Sequence, residues 1–503
     1  MKQAGLFAVK PVSEYHEEAA GKHLVRALGI PALVAFGIGG IIGTGIFVLT
    51  GVAAAQHAGP AIVISFIIAG IGCMFAGLCY SEFAAMVPVS GSAYAYSYAT
   101  LGEFVAWFVG WNLVLEYLVA SSVVAVGWSG YAVKLLHDFG VPALPAKLTG
   151  APFSAVGANS LQVHATGNWF NLPAVVIVVL ATALCYKGIR ESAIVNIIIV
   201  AIKVSIVVAV IAFGAFYVDT AHWTPYIPKN TGVYGEFGWS GISQAAGIIF
   251  FAYIGFDGVS TVAQEAKNPG RGMPIGILGS LGICTLLYIA MSAVLTGLAP
   301  YLSLNDPAPV AVALEAHPQL LWLTRWVEVG ALLGLTSVII TLIIPQARIW
   351  LTMSRDGLMP RMFGGVHPRF HTPHIATLIT GTVAALIAAV TPLDILGELV
   401  SIGTLVAFIV VCIGVLVLRY TRPDLHRPFR APAIWFTSLM GVFFCAWMAY
   451  SLPNSTWWRL LFWSLLGFAL YFGYGYRHSR LRRGDGQAAL GAPQPASAPQ
   501  SSP

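Results

Sequence analysis

Charged residues are scarce in this chain, and their scarcity excludes most classes of soluble protein. Only 9% of the 503 residues are Asp, Glu, Lys or Arg, whereas 57% are hydrophobic. A globular protein carries about 25% charged residues, which keep its surface in water. The mean hydropathy of +0.79 therefore predicts an integral membrane protein that contacts the lipid bilayer. It excludes a soluble enzyme, a nucleic-acid-binding protein and a disordered scaffold.

Sequence motifs for enzyme chemistry are also missing. The six cysteines lie in apolar runs and form no Cys-x-x-Cys pair, so they predict neither a disulfide framework nor a zinc site. The segment HEEAA at 16–20 lacks the second histidine of a zinc motif, and no phosphate-binding Gly-x-x-x-x-Gly-Lys loop occurs. We therefore expect no catalytic residue, no metal, no cofactor and no ATP-driven transport.

Long apolar runs are abundant. A membrane-spanning helix needs about 20 apolar residues, and its backbone must satisfy its own hydrogen bonds in lipid. The sequence predicts about twelve such helices, at residues 31–52, 61–87, 101–133, 171–187, 192–216, 241–265, 274–298, 326–353, 375–391, 394–418, 432–451 and 457–476.

The basic residues predict the orientation of these helices. Nineteen of the 26 lysines and arginines fall in segments that are cytoplasmic if the N terminus is inside, against five in the opposite loops. Loops rich in Lys and Arg stay in the cytoplasm. We therefore expect a multi-pass protein of the cytoplasmic (inner) membrane with both termini inside, and a disordered low-complexity tail at 477–503.

Two of the apolar runs contain clustered glycines. The first run includes FGIGGIIGTGIFVLTG at 36–51, and the sixth includes GIIFFAYIGFDGVST at 247–261. Glycine interruptions at matching positions in two blocks of five helices are typical of transporters with inverted repeats, whose binding site lies at two broken helices. The alternative is close helix packing, since Gly39 and Gly43 form a Gly-x-x-x-Gly pair.

Broken helices also indicate the ligand. A break at mid-membrane exposes N–H groups at one helix end and C=O groups at the other. The N–H groups attract a carboxylate, and the C=O groups attract an ammonium group. An amino acid zwitterion carries both charges, so the architecture suggests an amino acid.

Several motifs carry a resemblance to a known family. They are GIGGIIGTGIFVLTG at 37–51, YSEFAAMVPVSGSAYAYSY at 80–98, FFAYIGFDGVSTVAQEAKNP at 250–269, SRDGLMP at 354–360 and RYTRPDLHRPFRAP at 419–432. With these motifs the chain resembles the amino acid–polyamine–organocation superfamily, and most closely the bacterial branch of the cationic amino acid transporter family.

The resemblance implies an all-α fold of about twelve transmembrane helices, in which helices 1 and 6 are broken. A cytoplasmic segment 1–30 would precede two inverted five-helix repeats at 31–218 and 241–418, and two peripheral helices would follow at 432–476.

The resemblance also implies a substrate site. The backbone around Gly43, Thr44 and Gly45 would bind the substrate carboxylate. The carbonyl groups of Ile41, Phe251 and Ile254 would bind its amino group, and the Phe251 ring would close over the substrate. The alternative for Phe251 is a core phenylalanine without a role in binding.

Lys203 is a charge near the middle of the fifth run. It lies about 18 Å from either helix end, which is farther than a lysine side chain can reach. Because lipid disfavours the charged amine, the group could alternate between neutral and protonated states and couple transport to protons. The resemblance implies contacts with first-helix carbonyl groups and with an eighth-helix hydroxyl, Thr336 or Ser337. A buried lysine held by a static carboxylate is the alternative.

Three acidic residues lie in or beside apolar runs. Glu116 either lines the substrate pocket, contacts the amino group through water, or makes an internal hydrogen bond. Asp257 is expected to cap the helix that follows the second break. Glu82, near the cytoplasmic end of the second run, is expected to form a salt bridge at the interface.

These features predict a secondary active transporter of L-amino acids that works by proton symport and alternating access. An exchanger remains an alternative, as does a channel or amino acid sensor. A cationic or a neutral substrate is equally compatible with the sequence.

Overall fold

The structure, a computed structural model, describes residues 5–11, 28–87, 91–140, 144–155, 163–188 and 193–483. Most of the predicted N-terminal segment 1–30 and the tail beyond residue 483 lie outside the described residues. The described chain is mostly helical.

The α-helices follow the predicted apolar runs closely. In chain order they are α1 Ile30–Ile41, α2 Thr50–Ala53, α3 Ile62–Met86, α4 Ser92–Thr100, α5 Glu103–Asp138, α6 Leu172–Lys187, α7 Ala193–Gly214, α8 Gly238–Ile249, α9 Gly258–Thr261, α10 Pro269–Leu298, α11 Pro309–Glu315, α12 Leu321–Arg355, α13 His374–Val390, α14 Leu393–Thr421, α15 Ile434–Ser451, α16 Asn454–Leu470, α17 Tyr476–His478 and α18 Arg480–Arg483. Two short antiparallel strands, β1 Phe153–Ala155 and β2 Val163–Ala165, form a hairpin between α5 and α6.

Within the described residues, eight helical stretches are long and apolar enough to cross a membrane. They are Gly45–Met86, Glu103–Asp138, Ile197–Tyr217, Gly238–Thr261, Pro269–Leu298, Pro318–Arg355, Ile395–Thr421 and Ile434–Ser451. Three shorter apolar helices, α1, α6 and α13, accompany them.

The helices pack into a bundle with a buried centre. Helix α5 packs against α12 and α14, and α10 packs against α1 and α3. The spans that contain α5 and α8 are almost wholly buried, whereas α7 exposes most of its surface. Exposed tryptophans lie near helix ends, among them Trp322, Trp435 and Trp458. This placement is typical of aromatic residues at the surfaces of a bilayer.

One end of the bundle, where α5 begins and α12 and α14 end, is closed by buried ion pairs; we call it the basic end. Glu82 accepts two hydrogen bonds from the Arg419 guanidinium group, at 3.0 and 2.6 Å. This is the salt bridge expected for Glu82. Glu103, which is fully buried, accepts from Arg482 at 2.9 Å and from Ser479, so the chain after α16 is held against α5.

The N-terminal segment 5–11 contributes to the same closure. Its backbone pairs with the α4–α5 junction through bonds such as Glu103 N–H to the Ala8 carbonyl, at 3.0 Å. The Lys10 amine lies 3.0 Å from Asp356, which also accepts a hydrogen bond from the Tyr94 hydroxyl at 2.7 Å. Ion pairs from both ends of the described chain therefore close the basic end.

Candidate functional site

Both helix interruptions predicted from the glycine clusters are present. Helix α1 ends at Ile41, Ile42 is extended, and the chain resumes as a π-helical turn, Gly45–Leu49. Helix α8 ends at Ile249 and continues as a single 3₁₀ turn, Phe250–Tyr253, before α9 begins.

Glycine is required at these breaks because the two backbones touch. A Cβ on Gly40 would lie 3.3 Å from the Gly255 carbonyl oxygen, and a Cβ on Gly45 would overlap Ala252. Gly255 also has a φ of +119°, which side chains rarely allow. The glycines therefore bring the two interruptions into direct contact, so close packing and the helix breaks occur together.

Two tyrosines that the sequence analysis did not single out hold the breaks in place. The Tyr288 hydroxyl lies 2.8 Å from the carbonyl oxygens of both Ile41 and Ala252, and so bridges the two interruptions. The Tyr117 hydroxyl donates to Asp257 at 2.5 Å. Each tyrosine lies in a mostly apolar helix, and its position in the sequence does not reveal its partner.

The expected capping role of Asp257 is wrong. Asp257 occupies the residue before α9, but its side chain makes no capping hydrogen bond there. Its carboxylate instead accepts from the backbone N–H of Gly255, at 3.2 Å, and from Tyr117. Asp257 therefore fixes the loop of the second break.

A small central cavity of about 10 Å³ lies between the interruptions, which is about the space that one water molecule needs. Six of the seven predicted substrate-binding residues line it, and Glu116 does not. The lining consists of Gly40, Ile41, Gly43, Thr44, Gly45, Ala120, Val124, Phe251, Ile254, Val338 and Leu342.

The central cavity combines apolar walls with few polar groups. Ala120 and Val124 from α5 face Val338 and Leu342 from α12, and no charged side chain is among the lining residues. The Thr44 hydroxyl is buried and has no hydrogen-bond partner within the described part of the chain. A buried hydroxyl without a partner is costly, so this oxygen is available to a ligand.

Glu116 lies outside the cavity lining. It is fully buried on α5, one helical turn before Ala120, and neither carboxylate oxygen has a hydrogen-bond partner of normal geometry among the described residues. The Thr404 hydroxyl is close to it but donates to the Val400 carbonyl at 3.0 Å. The structure therefore gives Glu116 no direct access to the central cavity in this conformation.

Lys203 lies directly behind the first break. Its amine is 3.0 Å from the carbonyl oxygen of Gly39 and 3.2 Å from that of Ile42, and the side chain is only 1% exposed. The aliphatic part of the side chain passes Gly334 on α12, where a Cβ would come within 3.1 Å of it. The lysine thus donates to carbonyl groups that the interruption of α1 leaves without helical partners.

The two candidate hydroxyls on α12 have their own hydrogen bonds. Thr336 accepts from the Trp128 indole at 3.0 Å and donates to the Leu332 carbonyl. Ser337 donates to the carbonyl of Gly334, the residue that the Lys203 side chain passes. Both hydroxyls therefore donate to carbonyl groups of their own helix.

Within the described residues, one group of acids could hold a metal ion. The carboxylate oxygens of Asp138, Glu315 and Glu328 lie within 4.8 Å of one another, away from the central cavity. Lys134 lies 2.9 Å from Glu315 and already offsets part of this charge. These residues therefore form an ion-pair cluster at a helix end.

Comparisons with known proteins agree with this architecture. Residues 28–471 match the family model described as amino acid permease. The chain is 44% identical to the methylthioribose transporter of Bacillus subtilis (strain 168), over 95% of this chain and 100% of that protein. It is 43% identical to the branched-chain amino acid permease BcaP of the same organism, over 96% and 100%.

A plant relative extends the likeness. The chain is 37% identical to the vacuolar cationic amino acid transporter 2 of Arabidopsis thaliana, over 82% of this chain and 63% of that protein. The family model covers most of the chain, including both helix breaks and Lys203. The protein therefore belongs to the amino acid permeases of the amino acid–polyamine–organocation superfamily.

Proposed function

We propose that the protein is a secondary active transporter that carries an L-amino acid across the cytoplasmic membrane by proton symport. The observation that carries this proposal is the central cavity enclosed by two interrupted helices. N–H groups at the start of the resumed first helix suit a carboxylate, and carbonyl groups at the two breaks, such as those of Ile41 and Ile254, suit an ammonium group.

The proposed architecture follows from the same breaks. Two inverted five-helix repeats, at 31–218 and 241–418, would place one broken helix each at the centre of the bundle, and two further helices would complete about twelve spans. Both termini would be cytoplasmic, because most Lys and Arg residues flank the basic end of the bundle.

We propose that the substrate has an uncharged, apolar side chain. Ala120, Val124, Val338 and Leu342 present only hydrocarbon to the cavity. A cationic side chain placed there would lose its hydration without gaining an ionic partner. The likeness to a branched-chain amino acid permease supports the same choice.

Alternating access would open the cavity to one side at a time. At about 10 Å³ the cavity has no room for an amino acid, so the helices around it must separate for binding. The ion pairs at the basic end would close the cytoplasmic side in this conformation, and their separation would open it.

Lys203 would couple this motion to protons. A protonated amine binds the Gly39 and Ile42 carbonyl groups more strongly than a neutral amine does. Gain and loss of the proton would therefore shift the stability of the first break, and with it the preference for one conformation.

Uptake into proteoliposomes tests the proposed function. Labelled isoleucine, alanine, phenylalanine, arginine and methylthioribose would be offered without sodium, with and without an inward proton gradient. We expect gradient-driven accumulation of isoleucine or alanine and little accumulation of arginine. Preferred accumulation of methylthioribose or arginine would contradict the proposed substrate class. Rapid uptake only into liposomes preloaded with an amino acid would identify an exchanger instead.

A further inference from the structure

A second cavity opens at the basic end, apart from the central one. Its volume is about 410 Å³, within the range of about 300–1,000 Å³ that small-molecule sites usually have. The walls come from the end of α12, the turn after it and the chain that follows α16. Four arginines and one histidine line this basic pocket: Arg355, Arg361, Arg480, Arg483 and His478. No Asp or Glu is among its lining residues.

The backbone holds the two walls together. Gly357, two residues after the end of α12, has a φ of +81°, and a Cβ at that position would overlap the carbonyl group of His478. The N–H of Arg480 donates to the Asp356 carbonyl at 3.0 Å. Because these contacts fix the two segments against each other, the arginines they carry converge on one space.

Among the described residues, few acidic groups offset the positive charge in the basic pocket. Arg483 donates to the backbone carbonyl of Arg477, at 2.9 and 3.2 Å. In the part of the chain that the structure describes, Arg355, Arg361 and Arg480 have no ion pair or side-chain hydrogen bond. The neighbouring Asp356 already accepts from Lys10 and Tyr94. Like charges gathered in one pocket repel each other, so an anion that enters gains their combined attraction.

The basic pocket lies at the edge of the apolar zone. The span that contains α12 ends at Arg355, which lines the pocket. Large apolar side chains next to the pocket residues Arg361 and Gly365 are exposed, namely Met362 and Val366. A bilayer that covers this span would place the arginines at the depth of its headgroups, with apolar side chains beside them.

We propose that the basic pocket binds a phosphate-bearing anion, supplied by the headgroup of an acidic phospholipid. A guanidinium group offers paired N–H donors that match phosphate oxygens. Basic pockets between membrane helices bind acidic lipid headgroups in this way. A soluble phosphate compound offers the same headgroup chemistry but makes no use of the exposed apolar side chains beside the pocket.

Native mass spectrometry of the purified full-length chain in detergent tests this proposal. The protein is titrated with phosphatidylglycerol or with phosphatidylcholine that has the same acyl chains. The variant Arg361→Gln/Arg480→Gln removes two charges from the pocket. The matched control, Arg369→Gln/Arg430→Gln, removes two charges from exposed positions that do not line the pocket.

We expect the parent and the control to prefer phosphatidylglycerol. The pocket variant should bind it about 25-fold more weakly, because each basic side chain near an anionic surface contributes about fivefold. Equal losses in both variants, or equal affinity for the two lipids in the parent, would overturn the proposal.

A further titration separates the two sources of phosphate. Inorganic phosphate at millimolar concentration should not displace phosphatidylglycerol, because it lacks the acyl chains. Pocket-dependent binding of phosphate without any lipid preference would overturn the assignment to a lipid. If the double variant does not fold, Arg361→Gln, which changes an exposed side chain, should lose about fivefold relative to Arg369→Gln.

Discussion

Replacement of Lys203 by methionine is the most direct test of proton coupling. Methionine is similar in length to the aliphatic part of lysine, but it cannot donate to the carbonyl groups of Gly39 and Ile42. Those carbonyls lie 3.0 and 3.2 Å from the amine. The substitution therefore removes the only part of the side chain that can carry a proton.

The expected magnitude follows from these two hydrogen bonds. A hydrogen bond from a charged donor contributes about 1.5–3 kcal/mol, and a neutral one about 0.5–1.5 kcal/mol. Protonation of Lys203 should therefore strengthen its two hydrogen bonds to the first break by about 2–3 kcal/mol in total. That difference corresponds to a shift of about 30- to 150-fold in a conformational equilibrium.

The assay compares the accumulation of a labelled neutral amino acid in proteoliposomes with and without an inward proton gradient. The parent should accumulate it against its concentration gradient, whereas Lys203→Met should only equilibrate it. The variant should still exchange substrate across preloaded vesicles, since the cavity lining is unchanged.

The control is Lys134→Met, which removes a lysine that pairs with Glu315 far from the breaks, at 2.9 Å. It should retain gradient-driven accumulation. Accumulation by Lys203→Met equal to that of the parent would refute the role of this amine in coupling.

Three further substitutions test the site and the closed end of the bundle. Gly45→Ala should abolish substrate exchange, because its Cβ would overlap backbone atoms of the second break. The control Gly258→Ala, whose Cβ meets nothing within 4 Å, should retain exchange. Similar exchange by both variants would contradict the close approach of the two breaks. Leu342→Ala should shift the ratio of phenylalanine to isoleucine uptake about tenfold toward phenylalanine, because the cavity gains the space of three carbons. Glu103→Ala should lower the free energy of unfolding by about 3 kcal/mol, since it leaves the Arg482 guanidinium group without its buried partner; a thermal melt in detergent with unchanged Tm would argue against this ion pair.

The helices and their interruptions could largely be predicted from the sequence. Each predicted apolar run is mostly helical, with interruptions in the first and sixth runs. Hydropathy over about 20 residues is a local property, and a helix satisfies the backbone hydrogen bonds of an apolar run in lipid. The two breaks were also predictable, since glycine clusters weaken a helix wherever the chain folds.

The partners of several buried polar groups could not be predicted. Asp257 stands where a capping residue is expected, yet its carboxylate turns back to Gly255 and across to Tyr117. The Tyr288 hydroxyl bridges the two breaks, and one of its two partners, Ile41, lies more than two hundred residues away in the chain. In an almost uniformly apolar chain, many pairings satisfy a hydroxyl or a carboxylate equally well, and only the packing of the helices selects one.

The sequence alone therefore determined that this is a helical membrane protein with two glycine-broken helices and a lysine within an apolar helix, because composition and local backbone freedom suffice for those conclusions. Only the tertiary structure decided which first-helix carbonyl groups Lys203 reaches, those of Gly39 and Ile42, that Glu116 lies outside the central cavity, and that arginines from distant segments form the basic pocket. These outcomes depend on distances between residues far apart in the chain, which are set by the packing of whole helices.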